Sequence, residues 1–100
     1  MDTTDKANNE ILTLLDDKLI NVGSYCTFNR QYHKNKMIYG VGRLRLFNCQ
    51  IVIVDFIQFY QTSYYPLWSM ADIKLNKSNI QYVTLASLDE KNVYKIIKDG

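Results

Sequence analysis

Apolar and polar positions alternate along most of this chain, and changes in the period divide it into elements. Ile11, Leu12, Leu14, Leu15 and Leu19 recur at helical spacing. Asn8 or Asn9 supplies a cap ahead of them, and Glu10 suits the positive end of the helix dipole. Asn21, Gly23 and Ser24 end the helix, and residues 1–8, polar almost throughout, read as a flexible N-terminus. A short helix with one apolar face needs a larger body to pack on.

From Tyr25 the period becomes two. In SYCTFNRQYH, Tyr25, Thr27 and Asn29 alternate with Cys26, Phe28 and Arg30, and HKNK (33–36) is the turn that follows. MIYGVGRLRLF places Leu44 and Leu46 inward and Arg43 and Arg45 outward. Its Gly40 and Gly42 mark sharp bending or close backbone approach. Asn48-Cys49-Gln50 is a short turn, and CQIVIVDFIQFYQ, the most apolar strand, is expected to be central. QTSYYP (61–66) reads as a loop or strand end, LWSMADIKL as a strand, NKSN (76–79) as a tight turn and IQYVTL as the last strand. Ser87 and Glu90 form a capping box that opens a short helix with Val93, Tyr94, Ile96 and Ile97 apolar. Five bent antiparallel strands on so few residues are expected to close into a small barrel, because closure removes exposed edges. An OB-fold would need a helix between the third and fourth strands, and residues 60–66 leave no room for one.

Composition narrows the function classes. One hundred residues make one domain. The net charge of +2 is low for a nonspecific nucleic-acid binder. Cys26 and Cys49 each lie in an apolar stretch and read as reduced, buried thiols of an intracellular protein. The polar, acidic opening MDTTDKANNE does not read as a signal peptide, and no segment approaches the ~18 apolar residues of a membrane span. His33 stands alone in a polar turn, without a neighbour at metal spacing. Asp16-Asp17 and Asp89-Glu90 are adjacent helical pairs that diverge into solvent or cap. GVG at 40–42 lacks the context of a phosphate loop. No enzyme activity, metal, cofactor or small-molecule substrate is therefore expected. Asp55, flanked by apolar residues, reads as a structural acid that ends the third strand. Tyr60, Tyr64, Tyr65 and Trp68 read as a protein-contact patch or covered core before a base-stacking platform, and Arg43 and Arg45 as a solvent face.

The order of these signals resembles the bipartite motif of Sm and Sm-like proteins over roughly residues 9–85. A helix with LLDDKL precedes Gly42-x-Leu44-x-x-Phe47-Asn48. Then come Gln50 to Asp55 with Gln58 three residues on, and finally Asp72-Ile-Lys-Leu-Asn-Lys-Ser-Asn79-Ile80. The resemblance implies a mainly β fold: a five-stranded antiparallel Sm-like (SH3-like) barrel over 9–86, with an N-terminal helix and a short C-terminal helix or tail over 87–100. In RNA-binding Sm rings an Asp and an Asn in one loop and the Arg of Ile-Arg-Gly in another hold the nucleotide. Here those places offer Asn48 and Gln50, then Asn76 and Lys77, so the pocket is degraded and no guanidinium is present to stack on a base. RNA contact is thus expected to be indirect or weak.

Two families without an RNA ring are also similar. IVIVDFIQFYQTS and KSNIQY resemble the Gemin-type Sm-like subunits of the SMN complex, which assembles Sm cores on spliceosomal RNAs. The Sm-like auxiliary subunit of the NatC acetyltransferase shares the Leu-Leu helix, but its Leu-Gly before the fourth strand and its turn proline are missing here. Resemblance to the first implies a non-catalytic subunit of cytoplasm and nucleus, paired with another Sm-fold protein through edge strands. Trp68, Ile73, Leu75, Ile80, Tyr82 and Val83 are its expected interface. Membership of an RNA-binding ring is the further alternative.

Overall fold

The computed structural model describes residues 3–34, 36–59, 66–68 and 72–99, with backbone only for residues 3–5, 32, 33, 36 and 66–68. Helix α1 spans Thr3–Asp17 and so begins well ahead of Asn8, taking in most of the segment expected to be flexible. Asn8 does not cap it. The Asn8 carboxamide accepts a hydrogen bond from the backbone of Cys49 (2.9 Å).

The helix ends before Asn21. Ile20 N–H donates to the Leu15 carbonyl and Leu19 N–H to the Asp16 carbonyl, the two bonds of a Schellman closure. Leu15 and Ile20, both buried, are the apolar contact that accompanies it. Leu19 occupies the left-handed position (φ 59°) that glycine favours, and its side chain is 80% exposed. A left-handed leucine costs about 1–2 kcal/mol, partly offset by the greater freedom glycine has in the unfolded chain. Leu19→Gly is therefore expected to stabilise the protein by about 0.5–1 kcal/mol. Thermal unfolding should read this as a rise of roughly 2–8 °C in Tm.

The fold is mainly β, as expected. β1 (Tyr25–His33), β2 (Lys36–Phe47) and β3 (Gln50–Phe59) form an antiparallel meander. β4 (Pro66–Trp68) and β5 (Ile73–Leu75) both pair with β3, and β6 (Val83–Leu85) pairs with β1. Ile53 faces Ile73 and Gln58 faces Trp68, so β3 advances five residues between the pairs while the partner retreats five. β4 and β5 thus share one register and lie along one strand path, giving five strand positions. A 3-10 helix, Lys77–Tyr82, occupies the segment expected to begin the last strand and turns Ile80 into the core.

The bend between β2 and β3 determines what the sheet can enclose. Val41 faces Ile57 but Arg43 faces Val54, so Gly42 opposes two residues, Asp55 and Phe56. Asp55 has φ 54°, which makes this a bulge with its first residue left-handed. Asp55 therefore does not end the strand, which continues to Phe59; it reverses the alternation midway. Before the bulge Ile51 and Ile53 point into the interior; after it Phe56 does, while Ile57 and Phe59 point outward. The close approach expected at the glycines is present. A Cβ on Gly40 would lie 2.2 Å from the Ile57 carbonyl oxygen, and one on Gly42 would lie 2.5 Å from Ile53 Cγ2.

Two apolar clusters result. The interior one joins Cys26, Phe28, Leu44, Ile51, Ile53, Phe56, Leu75, Ile80 and Val83 to Ile11, Leu15 and Ile20 from the N-terminal helix and the turn after it. The outer one places α2 (Leu88–Asp99) on the back of β2 and β3, with Tyr94 fully buried against Val41, Ile57 and Phe59. Val93 and Ile97 pack beside Tyr94, whereas Ile96, also apolar, is 71% exposed. The capping box forms as expected: Ser87 N–H donates to Glu90 Oε1 (2.8 Å) and Glu90 N–H to Ser87 Oγ (3.1 Å).

Candidate functional site

The two loops that resemble a nucleotide pocket are both held by α1. Asn48 and Cys49 form a two-residue hairpin turn, with φ 44° and 68° and Phe47 opposite Gln50. Positive φ at both central residues is the type I′ geometry, whose twist matches that of the flanking strands. Asn8 holds this turn through Cys49. Two residues further along α1, Glu10 receives Lys77 Nζ at 3.0 Å. The hydrogen bond from Lys77 and its charge hold the Glu10 carboxyl below its ordinary range.

Asn76 is also engaged: its Oδ1 accepts from Asn79 Nδ2, and Asn79 Oδ1 accepts from Arg30 Nη1, each at 2.7 Å. Arg30 in turn lies 5.0 Å from the Tyr82 ring centroid. Of the four candidate pocket residues, Lys77 is paired with a carboxylate and Asn76 is tied into its own turn. Asn48 and Gln50 sit exposed at the hairpin.

The six expected interface residues fall in three settings. Leu75, Ile80 and Val83 are core residues, at 2%, 4% and 0% exposure. Ile73 and Tyr82 are half-buried against the same core. Trp68 lies in β4 opposite Gln58, and its side chain, like those of Tyr60, Tyr64, Tyr65 and His33, lies outside the described residues. The 3-10 helix is the reason Ile80 is not on an edge. Leu75, Ile80 and Val83 are spent on the core and offer a partner no side-chain contact.

Backbone is free along both edges of the sheet among the described residues. β6 pairs with β1 and nothing else, and β5 pairs with β3 and nothing else. Ala86 N–H donates to the Tyr25 carbonyl, so by alternation Thr84 faces β1 while the N–H of Leu85 points away from it. The Thr27 and Thr84 hydroxyls bond across the β1–β6 pair. Leu85, 52% exposed on this edge, and Leu88, 71% exposed just after it, are partner-facing candidates that the alternation alone did not single out.

Asp55 proves to be a junction. Its carbonyl accepts from Tyr94 Oη (2.7 Å), its carboxylate from Lys98 (2.8 Å), and its N–H donates to Asp72 (3.2 Å). These bonds tie the bulge to α2 and to the residue that precedes β5. The Lys98 ammonium is held above its ordinary range chiefly by that bond. Glu90 is half-buried, which alone would raise its pKa. Hydrogen bonds from Tyr39 and Ser87 outweigh the burial and hold it below the usual range. Burial pushes the Cys26 thiol up to about 12, so it stays protonated, while Cys49 is half-buried at the hairpin. Among the described residues no group of His, Cys, Asp and Glu could hold a metal ion, and no helix is long and apolar enough to cross a membrane. No known family, curated protein or solved structure matches this chain.

Proposed function

We propose that this chain is a non-catalytic assembly subunit that pairs with another Sm-fold protein by strand addition, in the SMN complex that assembles Sm cores on spliceosomal RNAs. The observation that carries the proposal is the one-sided pairing of β6, with the Leu85 N–H directed away from β1. An added strand satisfies such unpaired groups, and neighbouring apolar side chains fix its register. Three residues make a short edge, so the partner needs further apolar area, which Leu85 and Leu88 offer. The neutralised Lys77 and the internally bonded Asn76 fit a subunit that does not itself hold the nucleotide.

Affinity purification of the tagged chain tests this, with Leu85→Pro as the discriminating variant. Proline removes an N–H that β1 does not use, so the variant should fold while losing its partner. Recovery of Sm-fold proteins and SMN with the wild type, and their loss with Leu85→Pro, is the expected result. Recovery of a catalytic acetyltransferase subunit instead, or a partner that Leu85→Pro retains, would overturn the reading.

A further inference from the structure

Leu19 is placed against two preferences at once. Its φ of 59° is the left-handed conformation that strains any residue with a Cβ, and its apolar side chain is 80% exposed. An exposed leucine in an ordinary conformation needs no explanation. One held in strain, and packed on little of its own chain, is a candidate contact, because such strain collects where a protein engages something else.

The residue before it, Lys18, lines a groove of about 460 Å³ between the end of α1 and the 3-10 helix. Leu14, Asp17, Ser78, Ile80 and Gln81 complete most of the lining, which is largely apolar. The two walls are joined. Lys18 Nζ donates to the Ile80 carbonyl (2.8 Å), and Lys77, also at the groove, is held by Glu10. The groove is thus formed within the single chain and needs no rearrangement to receive an apolar side chain.

Charges of both signs surround it. Partial burial holds the Lys18 ammonium below its ordinary range, and its bond goes to a carbonyl, not a carboxylate. Asp16 and Asp17 are exposed beside it, and neither ion pair among the described residues includes Asp16, Asp17 or Lys18. An apolar projection, an apolar recess, a cation and two carboxylates therefore share one patch. Each feature has its complement in the same patch, which is the condition for a two-fold contact between identical chains.

We infer that a second copy of this chain docks here, with Leu19 of each copy entering the groove of the other and Asp16 or Asp17 of each approaching Lys18 of the other. A partner of one charge sign would satisfy only half of the rim. The contact uses neither β6 nor Leu85 and Leu88, so it is independent of the strand-pairing proposal and leaves β6 open in each copy. One leucine and one groove per copy make a small interface of the transient class, with a dissociation constant of roughly 10–100 µM.

Sedimentation equilibrium of the full chain over about 5–500 µM tests this. The wild type should pass from monomer to dimer across that range. Leu19→Gly should weaken association about a hundredfold or more, because a two-fold contact loses both leucines together. At the dilute end, where the dimer adds nothing to stability, the same variant should melt higher than the wild type. Lost association with a gain in fold stability is a pair of results that a misfolded variant cannot give. Ser78→Arg keeps Leu19 and crowds the groove from an exposed position, so it too should be monomeric, while Leu85→Pro should dimerise as the wild type does. A wild type still monomeric at about 500 µM would overturn the inference. So would undiminished dimerisation of Leu19→Gly or Ser78→Arg, or loss of the dimer with Leu85→Pro, which would place the contact on the strand edge.

Discussion

Gly40→Ala is expected to lower stability by about 3 kcal/mol or more, seen as a shift of the urea midpoint. The added methyl would lie 2.2 Å from the Ile57 carbonyl oxygen and 2.5 Å from Phe56 Cζ. The first contact is backbone, so it cannot be relieved by turning a side chain. The β2–β3 ladder must shift at its bend. Overpacking in a core typically costs about 1–3 kcal/mol, and a backbone clash belongs at or above the top of that range. A domain of this size has roughly 5–15 kcal/mol to lose. Gly23→Ala is the comparison. Gly23 has φ 94° with open space around its Cα, so only conformational strain of about 1–2 kcal/mol is expected there. If the two variants prove equally stable, the close approach at Gly40 is not what the bend requires.

The second large effect is expected at Tyr94. Its side chain is fully buried, packs edge-on against Tyr25 and donates to the Asp55 carbonyl. Tyr94→Ala should cost about 3–5 kcal/mol, as large-to-small aromatic changes in cores do. Tyr94→Phe keeps the ring and removes only the donor, so a loss of about 1 kcal/mol is expected. Burial lifts the Tyr94 hydroxyl above its ordinary range, which keeps it a donor at neutral pH. Denaturant titrations of both variants give the ratio. Near-equal losses would mean that the hydrogen bond to the bulge, rather than the packed ring, holds α2 in place.

The sequence pattern was most legible where one face of a strand is polar. In β2 the alternation placed Leu44 and Leu46 inside and Arg43 and Arg45 outside; Leu44 is buried in the interior core and Leu46 packs against it. The capping box of α2 and the hairpin turn at Asn48-Cys49 were legible because each rests on local chemistry. β3 was legible as an element but not in its facing. Both its sides are covered, one by the interior and one by α2, so IVIVDFIQF offers no polar phase from which to read a reversal. Ile80 was misplaced for a related reason. In KSNIQYVTL a six-residue 3-10 segment buries the same residue an alternating strand would bury. The N-terminal helix was read too short because TTDKANN has polar residues on every side, and its register is set by long-range partners such as Cys49.

The candidate site followed the same rule. At Asn48, Gln50, Asn76 and Lys77 the sequence displayed residue types but not their partners. That Glu10 would neutralise Lys77 was not visible, since the two are 67 residues apart. The groove beside Leu19 was equally hidden, since Lys18 and Ile80, which join its walls, are 62 residues apart.

The bulge at Asp55 gives this protein an unequal tolerance of mutation. One strand serves two cores from opposite faces, and which residues reach each is a property of chain length rather than of side-chain identity. Substitutions at position 55 change the bond to Lys98 and the ease of the left-handed turn. Loss of the Asp55 codon would only straighten the bend, keeping Phe56 inward and Ile57 and Phe59 outward, whereas loss of the Ile57 codon would turn Gln58 into the second core and Phe59 away from it.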